Sequence, residues 1–180
     1  PAPHQRLTGR DRTMAAEALK EIVVGPEEAT FWLDRWGFWR NRHGRFEHKK
    51  IIAYFHASIG RDERGYFVSQ INGDVREKVY FHHEDTALFV FDVKVNDAIV
   101  LVLNTGRRLP LDPAALFIRQ DGLYVRDDDA VIKFNQSSMV KIGRYLTSEQ
   151  DRTFLRFKGR RALIPVEEGG AGDADPAGGV

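Results

Sequence analysis

Two segments hold the side chains best suited to gripping an anion. Arg35 to Lys50 carries Arg35, Arg40, Arg42, Arg45, Lys49 and Lys50 against a single acid, Glu47, with Trp36, Phe38, Trp39 and Phe46 interleaved. Lys141 to Arg161 repeats the theme with Lys141, Arg144, Arg152, Arg156, Lys158, Arg160 and Arg161 against Glu149 and Asp151. Guanidinium forks match phosphate and carboxylate, and an exposed aromatic ring can stack on a base. If the segments converge, they suit a phosphorylated small molecule; as an open stripe they suit single-stranded nucleic acid. The competing reading is structural: aromatics fill a core while Arg and Lys point to water from the other strand face.

His82-His83-Glu84-Asp85 offers imidazoles and carboxylates suited to a divalent metal, with His82, His83 and Glu84 as the candidate ligands. Neighbouring residues on a strand end diverge, so at most two can share an ion unaided. The alternative has Glu84 and Asp85 closing a turn. Asp127-Asp128-Asp129 lacks the alternating ligands and central Gly of a calcium loop and reads as a solvated turn. No phosphate-cradling loop, dinucleotide fingerprint, nucleophile elbow or metalloprotease helix is present, so a catalytic reading has no named actors.

The elements that must position these groups follow from composition and period. With 42% hydrophobic and 29% charged residues, 12 Phe and 3 Trp, the chain has the makings of a packed core. It has no Cys, which removes disulfides and thiolate chemistry and fits a cytoplasmic location. A net charge of +1 gives no global pull toward nucleic acid or membrane. The longest apolar run, Ala98 to Leu103, is too short to cross a bilayer, and no signal peptide is expected.

Thr13 to Val24 reads as a helix stopped by Gly25-Pro26, and a helical turn is expected from Pro26 to Leu33. Asn41 to Gly44, Asn72-Gly73 and Asp121-Gly122 read as hairpin turns, and Lys49 to Ile59 as a helix stopped by Gly60. Ala87 to Val95 and Ala98 to Leu103 are nearly continuous apolar runs, expected to be strands buried on both faces. Ser137 or Ser138 caps a second helix. The order hairpin, helix, hairpin thus occurs twice, from about Trp36 to Phe81 and from about Leu116 to Val166. The expected class is α+β, mainly antiparallel, in two related hairpin-helix-hairpin halves. Its expected parts are an N-terminal helical segment (1–34), a first half (35–86), a second half (87–166) and a disordered tail (167–180).

Four stretches carry a family resemblance: Gly44 to His48, Gly65 to Val68, Glu77 to Phe81 continuing to Glu84-Asp85, and Leu103 to Gly106. On these the chain resembles a bacterial domain-of-unknown-function family that is internally duplicated, with a second half superficially like a pleckstrin-homology domain. The resemblance implies a non-enzymatic, signalling-linked protein that binds a nucleotide-like ligand between its halves, and it singles out Lys78 for the anion. The candidate ligand-binding set is therefore Trp39, Arg40, His48, Lys78, Asn104 and Arg126, with no cofactor expected. Single-stranded nucleic-acid binding and a metal-dependent hydrolase remain as alternatives.

Overall fold

In the computed structural model, which describes residues 20–168, two-residue alternation prevails over helical period along most of the chain. Strands hold 54% of the residues described, and the two α-helices are short. The expected α+β class is therefore corrected to a mainly β architecture. Val, Ile, Phe and Tyr dominate the segments concerned, and β-branched and aromatic side chains fit a pleated, half-buried surface better than a helix.

The described chain opens with β1 (Lys20–Val24), β2 (Phe31–Leu33), β3 (Trp39–Asn41) and β4 (Gly44–Arg45). Helix α1 (Lys49–Ala57) follows, then β5 (Ile59–Asp62), β6 (Gly65–Asn72), β7 (Val75–Tyr80) and β8 (His82–His83). These strands form two sheets, in the orders β4-β3-β2-β8 and β1-β7-β6-β5. Next come β9 (Leu88–Val95), β10 (Ile99–Leu103) and β11 (Arg108–Pro110), then β12 (Leu116–Arg119), β13 (Gly122–Asp127) and β14 (Ala130–Phe134). Helix α2 (Gln136–Ile142) leads to β15 (Leu146–Glu149), β16 (Arg152–Phe157), β17 (Arg160–Ile164) and β18 (Val166–Glu167). Here the sheets run β11-β10-β9-β14-β13-β12-β18 and β15-β16-β17.

One sequence of pairings thus appears twice. Three short strands, a helix and three more strands are closed by a fourth that returns parallel to the first: β8 to β2, and β18 to β12. Each helix starts on a side-chain cap at the same spacing, His48 accepting from the Ile51 amide and Asn135, rather than the expected Ser137 or Ser138, from the Ser138 amide.

Three expectations about the ends of the chain are overturned. The N-terminal helix is absent where the chain is described: Lys20–Val24 pairs in parallel with β7, while residues 13–19 lie outside the described residues. Its Ile22 and Val23 stay largely exposed. Backbone pairing to the open edge of β7, rather than burial of a helical stripe, is what holds it. The helical turn expected up to Leu33 is instead completed as β2, which takes both β3 and β8 as neighbours. The expected tail begins too early, because Glu167 belongs to β18 and bonds to Arg126; residues 169–180 lie outside the described residues.

The interior has two cores. Leu33, Trp39, Val68, Phe81, Ala87 and Phe89 form one, with α1 laid over it through Ile52 and Phe55. Val90, Val93, Leu101, Leu116, Ile132, Ile142 and Leu155 belong to the other. Strand β9 serves both. A bulge, where the partners of Val102 and Leu103 of β10 step from Asp92 to Val90 and skip Phe91, lets Val90 and Val93 enter one core while Phe89 and Phe91 face the other.

Trp39 is the centre of the first core: only 1% exposed, it meets the rings of Phe81, Phe55 and Phe31 edge-on at 4.8, 5.4 and 5.6 Å. Trp39→Ala is expected to cost about 3–5 kcal/mol and Trp39→Phe clearly less. Urea unfolding measures both. A Trp39→Ala loss below about 1 kcal/mol would show that this ring does not anchor the core.

Candidate functional site

Leu33 ends β2, and the chain must reverse before β3. Asp34, almost wholly buried, makes that reversal: its Oδ1 accepts from the amides of Trp36 and Phe38, both at 2.9 Å. Arg40 supports the same carboxylate from across the turn, its Nε donating to Oδ2 at 2.5 Å. Gly37 sits at φ +84, and a Cβ there would meet the Phe89 ring at 3.1 Å, so the loop is clamped against the core. Its outward products are Arg35 and Trp36, the latter 61% exposed.

Opposite this loop lies one face of the seven-stranded sheet. By register, Phe117, Tyr124 and Lys133 lie side by side across β12, β13 and β14, with Arg119 and Arg126 two residues along from the rings. Phe117 and Tyr124 stack at 5.3 Å and 17°. Arg126 covers Phe117 at 4.0 Å, and Arg119 covers Tyr124 at 4.7 Å.

Asp85, in the segment that joins the first half to β9, ties the two sides together. Its carboxylate accepts from the Tyr124 hydroxyl and Lys133 Nζ, each at 2.7 Å, and from Arg119 at 3.3 Å. Burial would raise the Asp85 pKa, but the hydrogen bonds from Lys133 and Tyr124 more than reverse this and hold it below its ordinary value. Tyr124 is pushed up to about 12, first by burial and then by the bond it donates to Asp85. Lys133 also donates to the Arg35 carbonyl at 3.0 Å and lies 5.3 Å from the Trp36 ring. Lys133 thus stands beside an exposed indole, with Arg35 next to it in the loop and Arg119 and Arg126 further along the same sheet face, against Asp85, Glu84 and Glu167.

A second joint lies deeper. His56 of α1 and Asn104, after β10, are both buried, with Asn104 Nδ2 3.2 Å from His56 Nδ1. The remaining capacity of the Asn104 amide goes to backbone, donating to Ala87 O and accepting from Phe89 N, both at 3.1 Å. It replaces strand pairing where β10 ends.

The residues singled out by sequence take different places. Arg126 lies on the cationic sheet face, and Arg40 shapes the loop without facing it. Trp39 and Asn104 belong to the interior. His48 caps α1. Lys78 sits on β7 within the β1-β7-β6-β5 sheet, near Asp62 at 3.5 Å and Glu21 at 3.6 Å. His82 is exposed, His83 meets the Tyr66 ring at 5.8 Å, and Glu84 Oε2 accepts from the Arg35 amide. Among the described residues no group of three or more His, Asp or Glu side chains is placed to hold a metal. In the acidic triplet, Asp129 takes Arg61 at 2.7 Å and Asp127 takes Arg107. No ion pair, hydrogen bond or ring contact joins the two basic segments among the described residues.

Sequence reasoning missed Asp34, Trp36, Asp85, Arg119, Tyr124 and Lys133 as a group. The spacing of Asp34 before Trp36 and Phe38 is a legible loop signal. No short motif announces Tyr124 or Lys133, which meet only through strand pairing.

No family model matches the chain, and no curated protein matches it. Its fold is similar to that of a DUF1285 family protein from Silicibacter pomeroyi, with a TM-score of 0.55 over 81% of this chain and 83% of that one. Identity is 15%, so the likeness concerns the fold alone. A DUF1285 family protein from Shewanella baltica aligns over 64% of this chain and 91% of its own, at 15% identity. Its TM-score of 0.45 falls below the level that establishes a shared fold. No helix among the described residues is long and apolar enough to cross a membrane.

Burial depresses the His56 pKa from 6.5 to about 4. Between those values the unfolded chain binds a proton that the folded protein excludes. Stability is therefore complete above pH 6.5 and falls as pH drops toward 4, by up to about 3 kcal/mol. Denaturant unfolding at pH 7.5, 5.5 and 4.5 measures the slope. His56→Asn, less stable at pH 7.5, is expected to flatten it, and an unchanged slope would assign the loss to other groups.

Proposed function

We propose that the protein is a non-enzymatic ligand-binding module. On this reading it takes an anionic, ring-bearing small molecule of nucleotide type on the seam between residues 35–86 and 87–166. The observation that supports this is Trp36: a largely exposed indole on a loop braced by Asp34 and Gly37, 5.3 Å from Lys133 and facing the Arg119–Arg126 sheet face. An exposed ring beside fixed cations is the pairing that stacks on a base and grips a phosphate. The local excess of cations over carboxylates leaves an incoming anion favourable contacts even with Asp85 already served.

The halves are read as copies of one duplicated unit, in keeping with the matching strand orders and cap positions. Ligand binding at their seam then alters the contact between them, which is the kind of change a cytoplasmic signalling module reports.

Thermal unfolding with ATP, GTP and a short oligothymidylate tests the reading. A nucleotide at a hundredfold excess over its Kd is expected to stabilise the fold by about 2.7 kcal/mol. Trp36→Ala and Arg126→Gln, both at exposed positions, are expected to abolish the shift with little change in the unliganded melting temperature. A shift given by the oligonucleotide alone, steeply reduced by salt, would transfer the seam to nucleic acid. No shift from any of them would sink the proposal.

A further inference from the structure

Away from the seam, a groove of about 620 Å³ opens between the β16–β17 hairpin and the corner where β9 turns into β10. Its floor is apolar, made by Ile99, Leu111, Leu155, Phe157 and Ala162. Ile99 and Leu155 are buried members of the second core, so the groove is an open end of the space between two sheets. The three-stranded sheet shares no strand pairing with β10 or β11. Among the described residues no strand closes this side.

The rim differs in kind from the floor. Lys158 and Gly159, both at positive φ, make the two-residue turn of the hairpin and leave Phe157 paired with Arg160 across it. Leu155 is paired with Ala162, two residues along, so these four residues share one face. That face runs from buried Leu155 and half-buried Ala162 to Phe157 and exposed Arg160 at the mouth. The neighbouring pair, Arg156 and Arg161, turns to the opposite face, where Glu149 accepts from both at 2.5 and 2.7 Å, although Arg161 also forms part of the groove wall. Arg161 also rests 3.6 Å from the centre of the Phe154 ring there. Glu149 thus balances the outward arginines. Arg160 has no carboxylate within ion-pair distance among the described residues, and Lys158 meets only the fully exposed Asp97.

We propose that this groove is a second binding site, which takes a soluble single-chain anionic amphiphile: an alkyl chain along Leu155, Phe157, Ile99 and Leu111, and its carboxylate on Arg160 and Lys158. A volume of this size lies within the roughly 300–1,000 Å³ usual for small-molecule sites. The sorting of apolar floor from cationic mouth selects against a compact, fully polar anion. A guanidinium fork can take both oxygens of a carboxylate.

Calorimetric titration of the full chain with octanoate, decanoate and laurate, each below its micellar concentration, provides the test. Affinity is expected to rise roughly tenfold per added pair of methylenes. Dodecyltrimethylammonium, with the same chain and opposite charge, is expected not to bind. Arg160→Glu, at an exposed hairpin position, is expected to weaken laurate at least tenfold with an unchanged melting temperature. Ala162→Trp, which fills the floor, is expected to abolish binding, while Trp36→Ala leaves it intact. Equal binding of the cationic amphiphile, or no loss in Arg160→Glu, would overturn the proposal. So would sedimentation with phosphatidylglycerol vesicles in the absence of any laurate binding, since a membrane surface would then be the partner.

Discussion

Strand β9 is the element on which the rest depends, because it is apolar on both sides and must be covered on both. Val90 and Val93 look into one core, Phe89 and Phe91 into the other, and the bulge at Phe91 makes that division possible. A strand buried on two faces cannot tolerate unpaired backbone or misplaced polar groups. The surrounding features answer that demand. Asn104 continues the pairing where β10 stops, Thr86 donates to Val131 O at 2.6 Å, and Gly37 lets the Asp34 loop lie flat on Phe89. The two cores are thereby joined through one strand rather than through a flexible linker.

The polar side of the same junction is Asp85. A half-buried carboxylate is costly unless its lone pairs are occupied, and here Tyr124, Lys133 and Arg119 occupy them. All three donors come from the second half, while the acceptor is carried by the segment leaving the first. The network sets how the halves meet more than how firmly each one folds. The same geometry leaves Trp36, Arg35 and Arg126 on the surface, which is why the seam is the natural place for an anion.

The amphiphile groove has a different origin. A three-stranded sheet is too small to cover the seven-stranded one, and the uncovered end is lined by what would otherwise have been core. Glu149 and Arg160 show how charge is divided there: the outward arginines are paired, and the one beside the apolar floor is not. The two sites share no residue, so each can be altered without the other.

Local chemistry in the sequence determined the hairpins, the two short helices and the strand periods. Hairpins do form at Asn72-Gly73 and Asp121-Gly122, although the two-residue turns are Gly73-Asp74 and Gln120-Asp121, one residue from those expected. Lys49 does begin a helix, because turn geometry and caps alike depend on a few adjacent residues. The N-terminal helix failed as an expectation because Ile22 to Val24 found the edge of β7, a partner some fifty residues away that no local pattern reveals. The candidate site divides in the same manner. Aromatics interleaved with Arg and Lys marked the stretch from Arg35 to Lys50, but not which ring would be buried. Trp36 and Trp39 lie three residues apart in nearly identical company. Pairing between β2 and β3 turns Trp39 toward Phe55 and Phe81, while the Asp34 turn swings Trp36 to the surface beside Lys133. Only tertiary structure could decide that, since exposure is a property of what packs against a residue and not of its neighbours in the chain.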